Sequence, residues 1–254
     1  MRYQIGTITN LGKKRSTNQD NFLVRTDRYG GMPCALLLVA DGMGGLTNGD
    51  MASGLVVEEM QKWWDARQQA HTASEEISRS LDEVIYKIHR EIYAYEQQMD
   101  TRTGTTLSLV FLQGSRYLVK HVGDSRIYRL RGGKMEQITE DHSLVGEFVR
   151  AGLITKEEAR VHPRRNIITR ALGTEGDNTP DLLAADHLPG DRFLLCTDGL
   201  TGMVPDEEIE RVLLENDIEA AADKLIAMAL DAGGSDNVTL ILCTGEEGGT
   251  WKQD

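Results

Sequence analysis

The amino-acid sequence predicts a layered α+β fold built on antiparallel sheets. Two observations lead there. Short apolar runs rich in Val, Ile, Leu and Thr, bounded by Gly, Asp or Asn, come in blocks rather than in strict alternation with helices. Two of these runs, at 105–112 and 116–121, flank Gln113-Gly114-Ser115, a turn sequence suited to a hairpin. The remaining strand-like runs lie at 3–9, 21–26, 35–40, 125–130, 192–196 and 237–243. Long helical patterns separate the early strands from the middle ones. One covers about 50–67; the other covers about 74–99, with Ile77, Leu81, Val84, Ile85, Ile88 and Ile92 on one stripe. Two more fall at about 205–214 and 218–230, the first opening with acidic residues that suit a helix N-terminus. The stretch 143–170 interrupts the strands and reads as an inserted flap, charged and mostly helical. Residues 246–254 read as a loose tail.

With 254 residues the chain suits one large domain, spanning 1–245, better than two small ones. The 40% hydrophobic and 27% charged fractions are those of a soluble globular protein. A formal net charge of -12 argues against a nucleic-acid partner and against an anionic membrane surface. No apolar stretch approaches the length of a membrane span, and the N-terminus lacks the apolar core of a secretory signal. Cys34, Cys196 and Cys243 are far apart and lie in or beside apolar runs, so buried free thiols in the reducing cytoplasm are expected.

The most informative pattern is where aspartates fall. Asp41 follows Ala35–Ala40 and precedes Gly42-Met43-Gly44-Gly45. Asp198 follows Phe193-Leu-Leu-Cys-Thr and precedes Gly199. Asp124 follows the run ending at Val122-Gly123, Asp236 precedes the run from Asn237, and Asp20 precedes the strand from Asn21. Each stands at the end or the beginning of a buried strand. If those strands share a sandwich, their ends can meet on one edge, where the carboxylates would repel and protonate unless a cation were present. Oxygen ligands of this kind select Mg²⁺, Mn²⁺ or Ca²⁺ over Zn²⁺ or Cu²⁺. Taken singly, each Asp-Gly is an ordinary turn; five aspartates at strand ends make that bland reading the weaker one. A glycine at 42 would let a backbone carbonyl approach a metal closely. There is no P-loop sequence, no H-E-x-x-H and no Cys/His cluster.

Taken in order, these segments resemble the metal-dependent protein phosphatases, the PPM or protein phosphatase 2C family, in its compact bacterial form. The matching pieces are Arg15-Ser-Thr-Asn18-Gln-Asp20, Val39-Ala-Asp41-Gly42-Met-Gly-Gly, Thr103-Gly104-Thr105-Thr106, Val122-Gly123-Asp124-Ser125-Arg126, Thr139-Glu-Asp141-His142-Ser143, Thr169-Arg170-Ala-Leu-Gly173, Cys196-Thr-Asp198-Gly199-Leu and Ser235-Asp236-Asn237-Val-Thr239. The resemblance implies a four-layer α-β-β-α sandwich of two antiparallel sheets flanked by helices. It implies hydrolysis of phosphoserine and phosphothreonine in phosphorylated proteins by a dinuclear Mn²⁺ or Mg²⁺ centre with a bridging hydroxide. Asp41 would bridge the ions, Gly42 would lend its carbonyl, Asp198 and Asp236 would bind the second ion, and Asp20 would act mostly through a water. Asp124 and Asp198 would form a third, weaker site, and Arg15 would hold the substrate phosphate. A cognate serine/threonine kinase and a monomeric state complete the expectation.

The chain departs from the family pattern at one point. Leu46 and Met43 stand where family members carry a histidine, so the proton for the leaving oxygen is expected from water rather than from an imidazole. Two other classes fit the same residues: a binding module that kept the fold without activity, and a small-molecule phosphomonoesterase using the same centre.

Overall fold

The computed structural model describes residues 2–29, 31–66 and 74–246. Two antiparallel sheets form its middle. The first runs β1 (Arg2–Asn10), β11 (Val238–Glu246), β10 (Arg192–Cys196), β7 (Arg126–Arg131) and β8 (Lys134–Gln137). The second runs β2 (Asp20–Tyr29), β3 (Met32–Met43), β5 (Leu107–Gln113), β6 (Arg116–Val122) and β9 (Asp181–Asp186), with a short β4 (Gly104–Thr105) paired to the end of β3. The sequence-predicted strand at 105–112 is thus broken at Thr106.

Three apolar slabs hold the layers. Between the sheets lie Ala35, Leu37, Val39, Val110, Leu112, Ile127, Phe193, Leu195 and Ile241. On the other face of β3 and β5, Leu36, Leu38, Leu107 and Leu109 pack against α1 (Gly45–Ala66) and α2 (Ser74–Met99), through Val56, Met60, Leu81, Ile85, Ile88 and Ile92. The outer face of the first sheet packs Leu194, Leu240 and Leu242 against α6 (Asp206–Glu215) and α7 (Ile218–Asp231). β3 is buried on both faces, which is why its sequence is a continuous apolar run rather than an alternation. The result is the four-layer α-β-β-α sandwich.

Several expectations need correction. α1 begins at Gly45, not near residue 50. Gly49, just inside the helix, serves close packing: a Cβ on it would lie 2.6 Å from the Gly42 carbonyl oxygen. Within 143–170 the helices are only α3 (Leu144–Arg150) and α4 (Lys156–Val161), so the stretch is not mostly helical. Gly152, at φ +68°, and Pro163 break it. β8, β9 and the short α5 (Asp198–Thr201) were not expected. The tail, Glu246 apart, lies outside the described residues, as does the side chain of Leu46. The three cysteines are buried, and among the described residues no helix is long and apolar enough to cross a membrane.

Strand pairing gathers the acidic turns. β10 ends just before Asp198 and β11 starts just after Asp236; the two strands are antiparallel, with Cys196 opposite Leu240, so both turns fall at one end. In the second sheet Asp20 pairs directly with Asp41. Asp124 lies on the link from β6 to β7, where the chain crosses from one sheet to the other.

Candidate metal centre

Each carboxylate is placed by its strand end. The Asp41 N–H donates to Thr106 Oγ1 at 2.9 Å, and its carbonyl accepts from the Thr106 N–H at 2.9 Å and from Thr105 Oγ1 at 3.0 Å. Gly42 donates its N–H to the Gln19 carbonyl at 3.1 Å. A Cβ on Gly42 would lie 2.0 Å from the Gly49 carbonyl oxygen, so only glycine lets α1 approach β3 here. Thr197 Oγ1 donates to Asp20 Oδ2 at 2.8 Å. Asp198 opens α5, and the following Gly199 lies against Asn237, where a Cβ would meet the carbonyl oxygen at 1.9 Å. Asp236 accepts from Arg15 Nη2 on Oδ2 at 2.6 Å and from the Asn237 N–H on Oδ1 at 2.9 Å. Asp124 is buried, and its Oδ1 has no hydrogen-bond partner.

The electrostatics follow from this crowding. Burial, aided by the Asp198 and Asp236 charges and partly offset by hydroxyl donors from Thr239 and Thr197, pushes Asp20 up to about 7. Burial and then Asp236 push Asp198 up to about 6, although it is within hydrogen-bonding reach of Asp41. Asp41 is held well above the ordinary carboxylate value by burial and then by Asp20, Asp198, Asp124 and Asp236. Asp124 is raised by burial and then by Asp198 and Asp141. The hydrogen bond to Asp236 raises Arg15, with further help from Asp198 and Asp41.

The donor set suits hard divalent cations in charge and chemistry. It offers oxygen donors alone, one of them buried and unpartnered, with two carboxylates close enough to share a proton. Among the described residues no three His, Cys, Asp or Glu side chains already converge into a chelating group. The fit is therefore one of charge and donor type rather than of a preformed cage. The structure brings Arg15, Asp20, Asp41, Gly42, Asp124, Asp198 and Asp236 to one end of the sandwich.

Sequence reading missed the residues that hold this end together. Asn237, Gln19 and Thr197 all lie within the quoted motifs, but their hydrogen bonds depend on long-range pairing. The same holds for Arg126, whose guanidinium grips Asp141 through Nε at 2.9 Å and Nη2 at 2.7 Å. His142 is not free to act on a substrate. Its Nδ1 accepts from the Gly123 N–H at 3.0 Å, and its Nε2 faces Asp181 at 3.0 Å and Arg170 at 2.7 Å. A cleft of about 340 Å³ runs from Asp124 and Asp198 to Val145, Arg150, Arg160 and Arg165 of the 143–170 stretch.

Two face-to-face sheets flanked by helices, with acidic turns gathered at one end, are the architecture of the PPM phosphatases. The protein phosphatase 2C family profile matches residues 12–237, and the chain belongs to that family. The serine/threonine phosphatase Stp of Listeria innocua is 41% identical over 237 residues, covering 92% of both chains. The crystal structure of the serine/threonine phosphatase Stp1 from Staphylococcus aureus superposes with a TM-score of 0.86 at 35% identity, covering 97% of this chain and 96% of the other. The catalytic domain of the serine/threonine protein phosphatase PstP, in complex with two manganese ions, does so with a TM-score of 0.83 at 33% identity, over 96% and 99%.

Proposed function

We propose that this chain hydrolyses phosphoserine and phosphothreonine in phosphorylated proteins with two divalent cations, opposing a serine/threonine kinase in signalling. The observation that carries the reading is the set of aspartates at one end of the sandwich, Asp20 and Asp124 buried and Asp41 and Asp198 half-buried, whose pKa values are driven up by desolvation and by one another. Such a site has charge to spare for cations and none for a bare phosphate.

The reading gives two Mn²⁺ or Mg²⁺ ions to Asp41, the Gly42 carbonyl, Asp198 and Asp236, with Asp20 acting through a water, and a weaker third ion to Asp124 and Asp198. When bound, the ions supply Lewis acidity toward the phosphoryl oxygens and lower the pKa of a shared water toward neutrality. The protein's own residues do the rest. Arg15 has one Nη on Asp236 and keeps the remainder of its planar fork for phosphoryl oxygens. Thr197 fixes the rotamer of Asp20, and Thr105 and Thr106 fix the backbone of Asp41. With His142 engaged on both ring nitrogens and Met43 unable to donate, the proton for the leaving oxygen comes from water.

The same reading takes 1–245 as a single catalytic domain in a cytoplasmic monomer, with 143–170 as a flap over the cleft that receives the polypeptide flanking the phosphoresidue. The test compares a phosphothreonine peptide with sugar phosphates at saturating Mn²⁺. Higher kcat/KM on the peptide supports it. Preference for sugar phosphates points to a small-molecule phosphomonoesterase, and no turnover of either points to a binding module.

A further inference from the structure

The link between β1 and β2, residues 11–19, carries Arg15 and lies flush on the turn that carries Asp236. Gly12 adopts φ +79°, and a Cβ there would lie 2.1 Å from the Asp236 carbonyl oxygen. The Lys13 N–H donates to the Gly234 carbonyl at 2.7 Å. Arg15 has a side chain 53% exposed and is held at its tip by Asp236 at 2.6 Å. A long, half-exposed side chain held at one point depends on its backbone for the rest of its aim.

That backbone is gripped by one buried amide. Asn237 Nδ2 donates to the Leu11 carbonyl at 2.9 Å and to the Thr17 carbonyl at 3.0 Å, while Oδ1 accepts from the Gln19 N–H at 2.9 Å. The anchors bracket Arg15 on both sides. Gln19 extends the hold to the end of β3, because its carbonyl accepts from the Gly42 N–H at 3.1 Å and from Ser53 Oγ at 2.6 Å. Only a primary amide of this length offers two donors and an acceptor in this arrangement. An aspartate of the same shape would turn an oxygen toward two carbonyls, and an alanine would leave three backbone groups unpaired.

We propose that Asn237 is a positioning residue that aims Arg15 at the substrate phosphate by clamping residues 11, 17 and 19. This rests on the reading of Arg15 as the phosphate-holding residue. The backbone N–H of Asn237 that orients Asp236 is untouched by a side-chain substitution, so the clamp can be tested apart from the carboxylate.

The experiment is a double-mutant cycle in the full chain at saturating Mn²⁺. Asn237→Ala, Arg15→Ala and the double variant are compared on a phosphothreonine peptide for kcat and KM, with inorganic phosphate as a competitive probe. Thermal melts show that each variant is folded, and the neutral Asn237→Ser replaces any Asn237→Ala that is not. Asn237 variants should raise KM and the phosphate inhibition constant, lowering kcat/KM by about tenfold to a hundredfold, the scale of a small misplacement of a binding group. In the Arg15→Ala background the same substitution should change them by less than about twofold. Multiplicative effects, unchanged constants in the Asn237 variants, or an Arg15→Ala that binds phosphate normally would each overturn the proposal. An inactive wild type would remove the proposed function and this inference with it, whereas an active wild type with a multiplicative cycle removes the inference alone.

Discussion

Strand β10 has an aspartate just outside each end, one buried and one half-buried, and the two are answered in opposite ways. Asp191, before the strand, is 1% exposed and fully answered: Arg131 donates through Nε to Oδ1 at 2.7 Å and through Nη2 to Oδ2 at 2.6 Å, and the Leu188 N–H adds a bond at 2.9 Å. Asp198, after the strand, faces Asp41 and Asp236 and is pushed up to about 6. Five residues of strand, roughly 17 Å, separate a carboxylate placed for stability from one placed where it destabilises the bare fold. A protein that can neutralise a buried aspartate at one end has left its neighbours in want of a cation at the other.

The largest effect should come from removing one carboxylate at each end. Asp41→Ala and Asp236→Ala should cut kcat/KM by about a thousandfold or more, at or beyond the usual cost of one electrostatic donor, with circular dichroism unchanged. Asp191→Ala should leave kcat/KM within about threefold but destabilise the fold by about 2 kcal/mol. That is below the usual cost of breaking a buried pair because Arg131 keeps a third of its side chain in water. Denaturant melts and peptide kinetics on the same variants separate the ends, and a stable but inactive Asp191→Ala would break the comparison.

Next in size is the pH dependence of the metal-free protein. Asp20 and Asp198 rise from 3.8 to about 7 and about 6 in the fold. Over that interval the folded chain binds more protons than the unfolded one. Their contribution to stability should therefore be fully present below the unfolded value of 3.8 and be lost as pH rises toward 7. Mn²⁺ should reverse the fall, most strongly near neutrality. Asp20→Asn should flatten the slope and Asp191→Ala should not. Thermal melts from pH 4 to 8 in chelator read this directly, and a chelated protein more stable at pH 7 than at pH 5 would contradict it.

Asp124→Ala should give a smaller effect, about tenfold in kcat, with two tight cations still seen by calorimetry. Losing a tight ion would move Asp124 into the central pair.

Much of this contrast was legible in the sequence. Asp41, Asp124, Asp198 and Asp236 stood out because each adjoins a buried strand, and buried strands announce themselves as apolar runs such as Cys34–Ala40, whereas Asp20 opens β2, an edge strand in which Leu23 is the one buried apolar residue among those described. What stayed hidden has physical causes. β8 and β9 are edge strands with exposed residues, including Leu182, and need no apolar run. The start of α1 hid behind a run of glycines, of which Gly44 turns the chain at φ +126° while Gly42 and Gly49 serve close packing. Arg131 with Asp191, 60 residues apart, and Asn237 with Leu11, 226 apart, become neighbours only through strand pairing. The sequence thus showed where the carboxylates stand but not which of them are neutralised.

The central claim is that the end of the sandwich bearing Asp41, Asp198 and Asp236 works only with divalent cations. Its most direct test is phosphate release from a phosphothreonine peptide by chelator-stripped protein, before and after Mn²⁺ or Mg²⁺ is restored. The account predicts no release from the stripped protein and recovery with either ion; full activity in the stripped protein would contradict it.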